Sequence, residues 1–414
     1  MRHMERIYIF SPIPYAFLHQ RPQKLADQFL MMSIPVTYVE PSGLRDSLRK
    51  SWVACVRAIL ASLGYHILAL MAILIPMLTR KTTVNTPRGR SRKDLEIIPM
   101  PPVIPHNRFN SEWLERLNAA VCRQALRRRV FRIQEPAERS IAIFQNPFWG
   151  LVLQQNDFFK IYYDCIDELS IYAGRSSRER FSMYESKLVD QSNGVFVTAK
   201  ILEDSLLSRY GHKPIYRIPN GVDYLWFQDR VRDYAIPEDM MNLPRPVVGY
   251  IGALYSWLNY DLIVTMARRL PGISFVFIGP VENRETLHPL SDIPNIYWLG
   301  RKEYHEVPRY IQSFDVCMIP FLVNRISETA NPVKLFEYLA LGKPVVATRL
   351  AELERYKNGL VYLAGTDEDF IAAIRAAIEE QDPEKSYQRR EIAKDHSWQK
   401  HAATMMAVFN SEGR

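Results

Sequence analysis

Short apolar runs alternate with amphipathic stretches along the first half of the chain. The runs are rich in Val, Ile, Tyr and Phe, which is typical of strands buried on both faces of a sheet. We predict strands at Ile7–Ser11, Val36–Glu40, Leu95–Pro99, Ile141–Gln145, Ile161–Asp164, Val195–Ala199 and Ile215–Ile218. Helical spacing of apolar positions predicts helices at Gln23–Met31, Ser111–Phe131, Arg178–Ser192 and Ala199–Tyr210. This alternation indicates a parallel, doubly wound sheet.

The same alternation returns after Tyr224–Pro246, which contains several Asp and Pro residues and which we interpret as a linker. The second set of predicted strands is Val247–Gly252, Ser274–Ile278, Ile296–Leu299, Asp315–Pro320, Pro344–Ala347 and Leu360–Leu363. The helices predicted between and after them are Tyr260–Leu270, Val307–Gln312, Pro332–Leu341 and Asp367–Glu380.

The sequence therefore predicts an α/β protein of two Rossmann-like domains, residues 1–224 and 225–390. We expect residues 391–414 to form a C-terminal helix that returns to the N-terminal domain. Two such domains should face each other across a cleft, and ligands of doubly wound sheets bind beyond the carboxyl ends of the strands.

Composition agrees with two globular domains. The chain has 414 residues, of which 47% are hydrophobic and 24% are charged, enough for two cores. The cysteines lie far apart and include no Cys-x-x-Cys pair, which argues against a zinc site and a disulfide framework; they are Cys55, Cys122, Cys165 and Cys317. We predict no secretory signal, and we expect a cytoplasmic protein without a metal site.

The net charge of +8 is concentrated in one stretch. Residues 45–93 contain ten Lys or Arg and one acidic residue, a local balance of 10 − 1 = +9, so the rest of the chain carries 8 − 9 = −1. A nucleic-acid-binding protein would usually spread basic residues over a reading surface, so we expect no nucleic-acid partner.

The basic residues flank an apolar run of 21 residues, Ala58–Leu78. That length could cross a bilayer, but predicted strands of one sheet precede and follow it. We therefore predict an insertion at about residues 45–93 that lies on the inner face of the cell membrane, as an in-plane helix or a short hairpin near Gly64. The alternatives are a helical hairpin buried on the domain surface and a dimer contact.

The segment Thr329–Ala347 carries the sharpest motif. Pro332 suits the first turn of a helix, and the amide groups of Val333, Lys334 and Leu335 would then form an anion site to which Lys334 adds a full charge. Glu337 lies on the same helix face as Lys334, where its carboxylate could accept hydrogen bonds from two ribose hydroxyls. An ordinary amphipathic helix with a solvated Glu337 explains the spacing about as well, since such motifs produce many false positives.

This segment resembles the signature of GT-B glycosyltransferases, in the large retaining family that includes glycogen synthase. Further matches follow in the family's order: Tyr8–Pro12 with Gln20–Leu25, Tyr163–Leu169, Ile218–Asp223, Gly249–Leu254 and Asp315–Phe321. The chain is most similar to a bacterial branch that makes surface polysaccharides, such as teichuronic acid and exopolysaccharide glycosyltransferases. The likeness covers nearly the whole chain except about residues 45–93.

The resemblance implies a nucleotide-diphosphate sugar donor, retention at the anomeric carbon, and no metal or other cofactor. It implies donor contacts from the helix start, namely Asn331, Val333, Lys334, Leu335 and Glu337. The chain also departs from the family pattern. Many members carry a Glu eight residues before Glu337, where this chain has Thr329, with Glu328 one position away. Residues 254–260 lack the basic residues that bind the diphosphate in many members, so Lys334 and Arg325 would take more of that task.

Several other residues are candidates by position. Gly252 could let backbone approach the phosphates, or could simply allow a tight strand exit. Arg301 could lie near the nucleobase, or on the surface. In the first domain, Asp164 and Asp167 could assist catalysis or bind the acceptor, or could cap a helix. His19 and Arg21 could bind an anionic group of donor or acceptor.

We therefore predict transfer of a sugar from a nucleotide-diphosphate donor to a lipid-linked or polysaccharide acceptor at the membrane. The first alternative is a sugar-nucleotide epimerase of the same fold, which would need further acid and base groups. The second is a non-catalytic subunit that binds nucleotide sugars.

Overall fold

The computed structural model describes residues 6–16, 19–41, 94–100, 112–131, 140–154, 156–168, 175–232, 235–282 and 284–411. Contacts divide the chain into two compact units. The first comprises Met1–Phe196 and Leu206–Tyr216, and the second comprises Val197–Ser205 and Arg217–Arg414. The predicted membrane insertion at about residues 45–93 lies entirely outside the described residues.

The first unit is built on a seven-stranded sheet with the order β3-β2-β1-β4-β5-β6-β7. The strands are β1 Arg6–Phe10, β2 Val36–Pro41, β3 Leu95–Met100, β4 Ser140–Phe144, β5 Lys160–Cys165, β6 Gly194–Val197 and β7 Ile215–Arg217. Neighbouring strands from β3 to β5 pair in parallel. The central strands β1 and β4 are almost entirely buried, which is why they read as unbroken apolar runs.

Helices alternate with these strands, as predicted. Those whose bounds the structure gives are Arg21–Met31, Glu112–Arg129, Trp149–Val152, Arg175–Gln191 and Lys200–Tyr210. The short helix Trp149–Val152 was not predicted. Its Trp149 ring packs edge-on against Phe10, with 4.7 Å between ring centroids, so tertiary packing stabilises a turn too short to show a helical period.

The second unit is built on a six-stranded parallel sheet with the order β10-β9-β8-β11-β12-β13. The strands are β8 Val247–Ile251, β9 Ser274–Ile278, β10 Ile296–Trp298, β11 Val316–Ile319, β12 Val345–Thr348 and β13 Val361–Ala364. All predicted strands of both units are present, with ends within two residues of the predicted bounds. Two Rossmann-like domains are thereby confirmed.

Helices surround this second sheet. The α-helices are Tyr224–Arg230, Tyr260–Arg269, Val307–Ser313, Arg325–Thr329, Val333–Ala340, Asp367–Glu379, Pro383–Asp395 and Trp398–Ser411. Three segments form 3₁₀-helices: Glu238–Met240, Arg284–Leu290 and Ala351–Tyr356. In the part of the chain that the structure describes, no helix has both the length and the apolar character needed to cross a bilayer.

Two features of the second unit differ from the sequence prediction. The predicted linker Tyr224–Pro246 begins with a helix, because its Tyr-Leu-Trp-Phe run buries Phe227 completely. The expected single C-terminal helix is a pair, with Pro383 at the start of the first and His396 ending it. By contacts, the last helix Trp398–Ser411 groups with the second unit and not with the first.

One helix start confirms a prediction in detail. Asp367 and Asp369, which could have suggested a metal site, lie in the first turn of the helix Asp367–Glu379. The Asp369 amide donates to the Thr366 hydroxyl, and the Thr366 amide donates to the Asp369 carboxylate, both at 3.1 Å. This is a capping box, so the acidic residues stabilise the helix end.

Two ion pairs in the second unit differ strongly in burial. The guanidinium of Arg389 forms a bidentate pair with Glu380, and their side chains are 1% and 5% exposed. Arg269 pairs with Glu368, but these side chains are 48% and 70% exposed. Removing one partner from a buried pair leaves an uncompensated charge, whereas an exposed charge keeps its water.

We predict that Glu380→Ala lowers the free energy of unfolding by about 3 kcal/mol, because Arg389 would remain buried and unpaired. The matched variant Glu368→Ala should change it by no more than about 0.5 kcal/mol. Urea unfolding of both variants measures the difference. Equal effects from the two substitutions would contradict the assignment.

Candidate functional site

The strand order of the second sheet reverses between β8 and β11. From β8 the chain moves outward to β9 and β10, and from β11 it moves outward on the other side to β12 and β13. Helices on opposite faces of the sheet diverge at such a point, leaving a crevice beyond the carboxyl ends of the two central strands. The residues that follow β8 and β11 are therefore where a ligand of this unit should bind.

Glycines line this edge of the sheet on one side of the reversal. Gly252, Gly279 and Gly300 follow β8, β9 and β10 and have φ values of +150°, +149° and +72°. They are also in contact, since the Gly279 amide donates to the Gly300 carbonyl at 2.9 Å. A Cβ on Gly279 would overlap the carbonyl oxygen of Gly252. The backbone is exposed along this edge, because residues with a side chain rarely adopt these φ values and a Cβ at Gly279 would clash with the neighbouring backbone.

Lys334 occupies the reversal point. Its Nζ lies 5.2 Å from the centroid of the Tyr250 ring on β8 and 4.9 Å from that of the Phe321 ring just after β11. A Cβ on Gly252 would lie 2.9 Å from the Lys334 Cε, so the glycine makes room for the lysine chain. The structure thus brings together two residues that the sequence suggested separately.

The pKa of Lys334 is lowered to about 8. Burial is the main cause, since it disfavours the ammonium form, and the carboxylate of Glu337 partly opposes it by raising the pKa. Aromatic faces attract a cation, but they cannot replace the hydrogen bonds of water. An anion beside Nζ would stabilise the ammonium form.

The helix Val333–Ala340, called the Lys334 helix below, presents its N-terminus at this point. Pro332 is its N-cap rather than its first helical residue, and no side chain caps the helix start. No described residue accepts a hydrogen bond from the amide groups of Val333 or Lys334. The expected third free amide is a correction, because Leu335 N–H donates to the Pro332 carbonyl at 3.1 Å. Two amides and one ammonium are therefore available to an anion.

A buried hydrogen bond holds the Lys334 helix against the sheet. The Ile251 amide at the end of β8 donates to the Tyr338 hydroxyl at 2.9 Å, and Tyr338 is fully buried. Beyond the helix, Gly342 has φ +68°, the left-handed conformation in which helices commonly end. The helix start is consequently fixed relative to β8.

Glu337 lies half-buried one turn after Lys334. Its charge contributes to the raised pKa of Tyr304, after the larger effect of burial. Tyr304 also hydrogen-bonds Asp223, and its ring stacks on Trp226 with 4.9 Å between centroids and 9° between planes. Glu337 thus lies close enough to Tyr304 for its charge to affect that hydroxyl.

The residues before the Lys334 helix are internally bonded. Asn331 is 5% exposed, and its side-chain oxygen accepts from the Asn220 amide at 2.9 Å. Thr329 is also buried, and its hydroxyl donates to the carbonyls of Arg325 and Ile326 within one short helix. These contacts favour support of the loop over direct contact with a ligand for both residues. Arg325 is exposed at the start of that short helix, and Glu328 is half-buried.

Arg301 is exposed and directly follows Gly300 at the carboxyl end of β10. Its predicted place near the nucleobase stays a prediction. Among the described residues, no group of three or more His, Cys, Asp or Glu side chains could hold a metal ion.

A buried ion pair marks the corresponding edge of the first unit. Strand order there reverses between β1 and β4. Arg21, in the first turn of the helix after β1, binds both oxygens of Asp164 on β5 at 2.8–3.1 Å, and both side chains are almost completely buried. Gln145, which follows β4, donates to Asp164 at 2.9 Å. The structure therefore joins Arg21 and Asp164, which we had considered separately, and this favours a role in shaping the edge.

His19 and Asp167 also lie near this edge. His19 is exposed just before the helix Arg21–Met31. Asp167 is half-buried after β5, and burial raises its pKa. Both stay candidates for the roles given above.

Comparison with known proteins fits this geometry. The family described as "Glycosyl transferases group 1" matches residues 245–380, which contain the glycine edge and the Lys334 helix. A curated relative, the "Putative teichuronic acid biosynthesis glycosyltransferase TuaH" of Bacillus subtilis, is 26% identical over 279 residues, covering 63% of this chain and 69% of that protein. Residues 245–380 therefore form a domain of this glycosyltransferase family.

Solved structures share the fold of this chain over nearly its full length. Sucrose-phosphate synthase from Thermosynechococcus elongatus superposes with a TM-score of 0.68 at 15% identity, and 98% of each chain is covered. The Anabaena protein Alr3699/HepE, determined in complex with UDP and glucose, has a TM-score of 0.62 at 12% identity, covering 99% of this chain and 100% of that one. At these identities the likeness concerns the fold alone.

Several residues of the glycosyltransferase site were missed from the sequence. Gly279 was missed, although it directly follows the predicted strand Ser274–Ile278, just as Gly252 ends the predicted strand Val247–Gly252. A glycine at the end of a predicted strand was a usable signal. Tyr250 and Phe321 read as ordinary core residues. Asn220 and Gln145 give no local signal, because their partners lie far away in the chain.

We predict that the rate at which acetic anhydride acetylates Lys334 reaches half of its maximum near pH 8. Only the neutral amine reacts, and burial lowers the pKa of Lys334 to about 8. Glu337→Gln should move the midpoint to lower pH, since the Glu337 carboxylate raises that pKa. Mass spectrometry of the peptide containing Lys334 gives both midpoints. A midpoint near the ordinary lysine value of about 10.4 would contradict the assigned environment.

Proposed function

We propose that this glycosyltransferase transfers a sugar from a nucleotide-diphosphate donor, and that the donor diphosphate binds at the start of the Lys334 helix. One observation carries the proposal: a lysine with a lowered pKa lies at the strand-order reversal of the second sheet, beside two unoccupied helix amides. Such a site favours an anion and excludes cations.

The chemistry that this site could provide is stabilisation of the leaving group. When the bond between the sugar and the diphosphate breaks, negative charge develops on the departing phosphate. An ammonium and two fixed amides aimed at that charge would stabilise the transition state more than the ground state. We propose that they do so without a metal ion and with retention at the anomeric carbon, as the family resemblance implies.

The remaining donor contacts follow from position. Glu337 is proposed to accept hydrogen bonds from the ribose hydroxyls, because its half-buried carboxylate lies one turn beyond Lys334. Gly252 and Gly279 would let phosphate oxygens approach the backbone. Arg301 and Arg325, both exposed near the edge, are proposed to contribute charge to donor binding.

The acceptor is proposed to be a lipid-linked or polysaccharide glycan at the inner face of the cell membrane. Two observations support this. The relative TuaH is named for teichuronic acid biosynthesis, and the balance of +9 in residues 45–93 suits an anionic surface. His19, Asp167 and the edge held by Arg21 and Asp164 are the proposed acceptor contacts in the first unit.

We predict that the protein binds a nucleoside diphosphate and releases it from the matching sugar donor. Isothermal titration with UDP, GDP and ADP, followed by nucleotide release from UDP-, GDP- and ADP-sugars with membrane-extracted acceptor, tests both steps. Lys334→Met should weaken binding of the diphosphate by about tenfold or more, since a charge-assisted contact is worth roughly 1.5–3 kcal/mol. Exposed Lys357, which pairs with Glu354, provides the control variant Lys357→Met.

The affinity should also depend on pH. The diphosphate favours the ammonium form of Lys334, so affinity should fall as the pH rises above about 8, and Lys334→Met should remove that fall. Tight nucleotide binding without release on any acceptor would support a binding subunit instead. Conversion of the sugar nucleotide without transfer would support an epimerase.

We predict that deleting residues 52–90 abolishes flotation of the protein with vesicles of phosphatidylglycerol and phosphatidylcholine. The deletion removes the apolar run and several of its flanking cations. A milder variant, with Arg88, Arg90, Arg92 and Lys93 replaced by Gln, should weaken flotation in proportion to the charge removed. Unchanged flotation of the deletion variant would refute the membrane assignment.

A further inference from the structure

Glu352 is a buried carboxylate of the second unit that no motif of the sequence singles out. It lies in the 3₁₀-helix after β12, and its residue is 4% exposed. Its Oε1 accepts from Asn331 Nδ2 at 3.2 Å and pairs with Arg355 at 2.9 Å, and its Oε2 accepts from the Lys200 amide at 2.9 Å. Both oxygens are therefore occupied by donors from three separate parts of the chain.

Asn331 is the link between Glu352 and the candidate site. On one side its Nδ2 donates to Glu352. On the other side its Oδ1 accepts from the Asn220 amide at 2.9 Å, and its carbonyl accepts from Asn220 Nδ2 at 2.7 Å. If the Asn331 side-chain amide were flipped, its NH₂ would face the Asn220 N–H and its oxygen would face the Glu352 carboxylate. Its orientation is thus fixed by Asn220 and Glu352 together.

Asn331 is also the residue before Pro332, the N-cap of the Lys334 helix. No side chain caps that helix, so the position of its first amides depends on the backbone that enters it. That backbone is held at Asn331 by contacts reaching to residues 220 and 352. An anion site made of fixed amides loses affinity when the amides are free to move, because the ligand must then order them.

We propose that Glu352 is a positioning residue for the diphosphate site: through Asn331 it fixes the start of the Lys334 helix. This inference rests on the proposed function. The carboxylate is required in place of an amide, because its two oxygens accept from two different N–H groups. A glutamine at this position would supply one oxygen, and its NH₂ would face either Asn331 Nδ2 or the Lys200 amide.

The test compares UDP affinity, measured by isothermal titration, for the full chain and four variants. Glu352→Gln should weaken UDP binding about tenfold, the equivalent of roughly 1.4 kcal/mol. Asn331→Ala should weaken it at least as much. Because Glu352 acts through Asn331, the double variant should bind no more weakly than Asn331→Ala alone.

Glu380→Gln is the matched control. Glu380 is as buried as Glu352 and likewise pairs with an arginine, but its partners are Arg389, Tyr362 and Lys385 instead of a residue beside the helix start. It should lower the melting temperature and leave UDP affinity within about twofold of the unsubstituted chain. A general loss of stability would weaken binding in both variants alike, and that result would overturn the inference.

Two further outcomes are decisive. Effects of Glu352→Gln and Asn331→Ala that multiply in the double variant would refute action through Asn331. If Glu352→Gln does not fold, Asn331→Ala with unchanged UDP affinity refutes the inference by itself. Failure of the unsubstituted chain to bind UDP, GDP or ADP would instead refute the proposed function, so the two failures are distinguishable.

Discussion

The placement of one ammonium group organises the second unit. Lys334 Nζ lies between two aromatic faces at the point where strand order reverses, and burial there lowers its pKa to about 8. A buried cation without a carboxylate bonded to it is costly. Several features keep the Lys334 side chain at the strand-order reversal. They are the glycines at the strand ends, the buried Tyr338 and the uncapped start of the Lys334 helix. Catalytic sites commonly hold charged groups in environments where a bound ligand stabilises the charge better than the ligand-free protein does.

Much of the fold could be predicted because strands and helices are local patterns. Buried parallel strands are apolar throughout, so β1 and β8 were recognised from a few residues each. Trp149–Val152 and Arg325–Thr329 could not be predicted, since helices of one turn have no period and depend on tertiary contacts. The helix inside the expected linker was missed because the nearby Asp and Pro residues are typical of a linker, and we gave them more importance than the apolar run around Phe227.

The candidate site was predicted in part, for a similar reason. Lys334 and Glu337 belong to one helix, so their spacing carried a signal. The bond from Glu352 to Asn331 spans 21 residues, and the bond from Arg21 to Asp164 spans 143. Such pairs depend on the topology of the sheet, and a single sequence does not contain that information. The free amide expected at Leu335 failed on a local detail, because a 3₁₀-type hydrogen bond to the Pro332 carbonyl occupies it.

The path of the chain between the units limits how the protein can be divided. The chain passes from the first unit to the second at Val197, returns at Leu206, and passes again at Arg217. The segment Val197–Ser205 supplies the Lys200 amide that donates to Glu352. The family match begins only at residue 245 and does not include this segment. A second unit excised at the linker would therefore lack the Lys200 amide that donates to Glu352. Recombination between relatives would have to exchange two separate segments together, and this couples the evolution of the two halves of the chain.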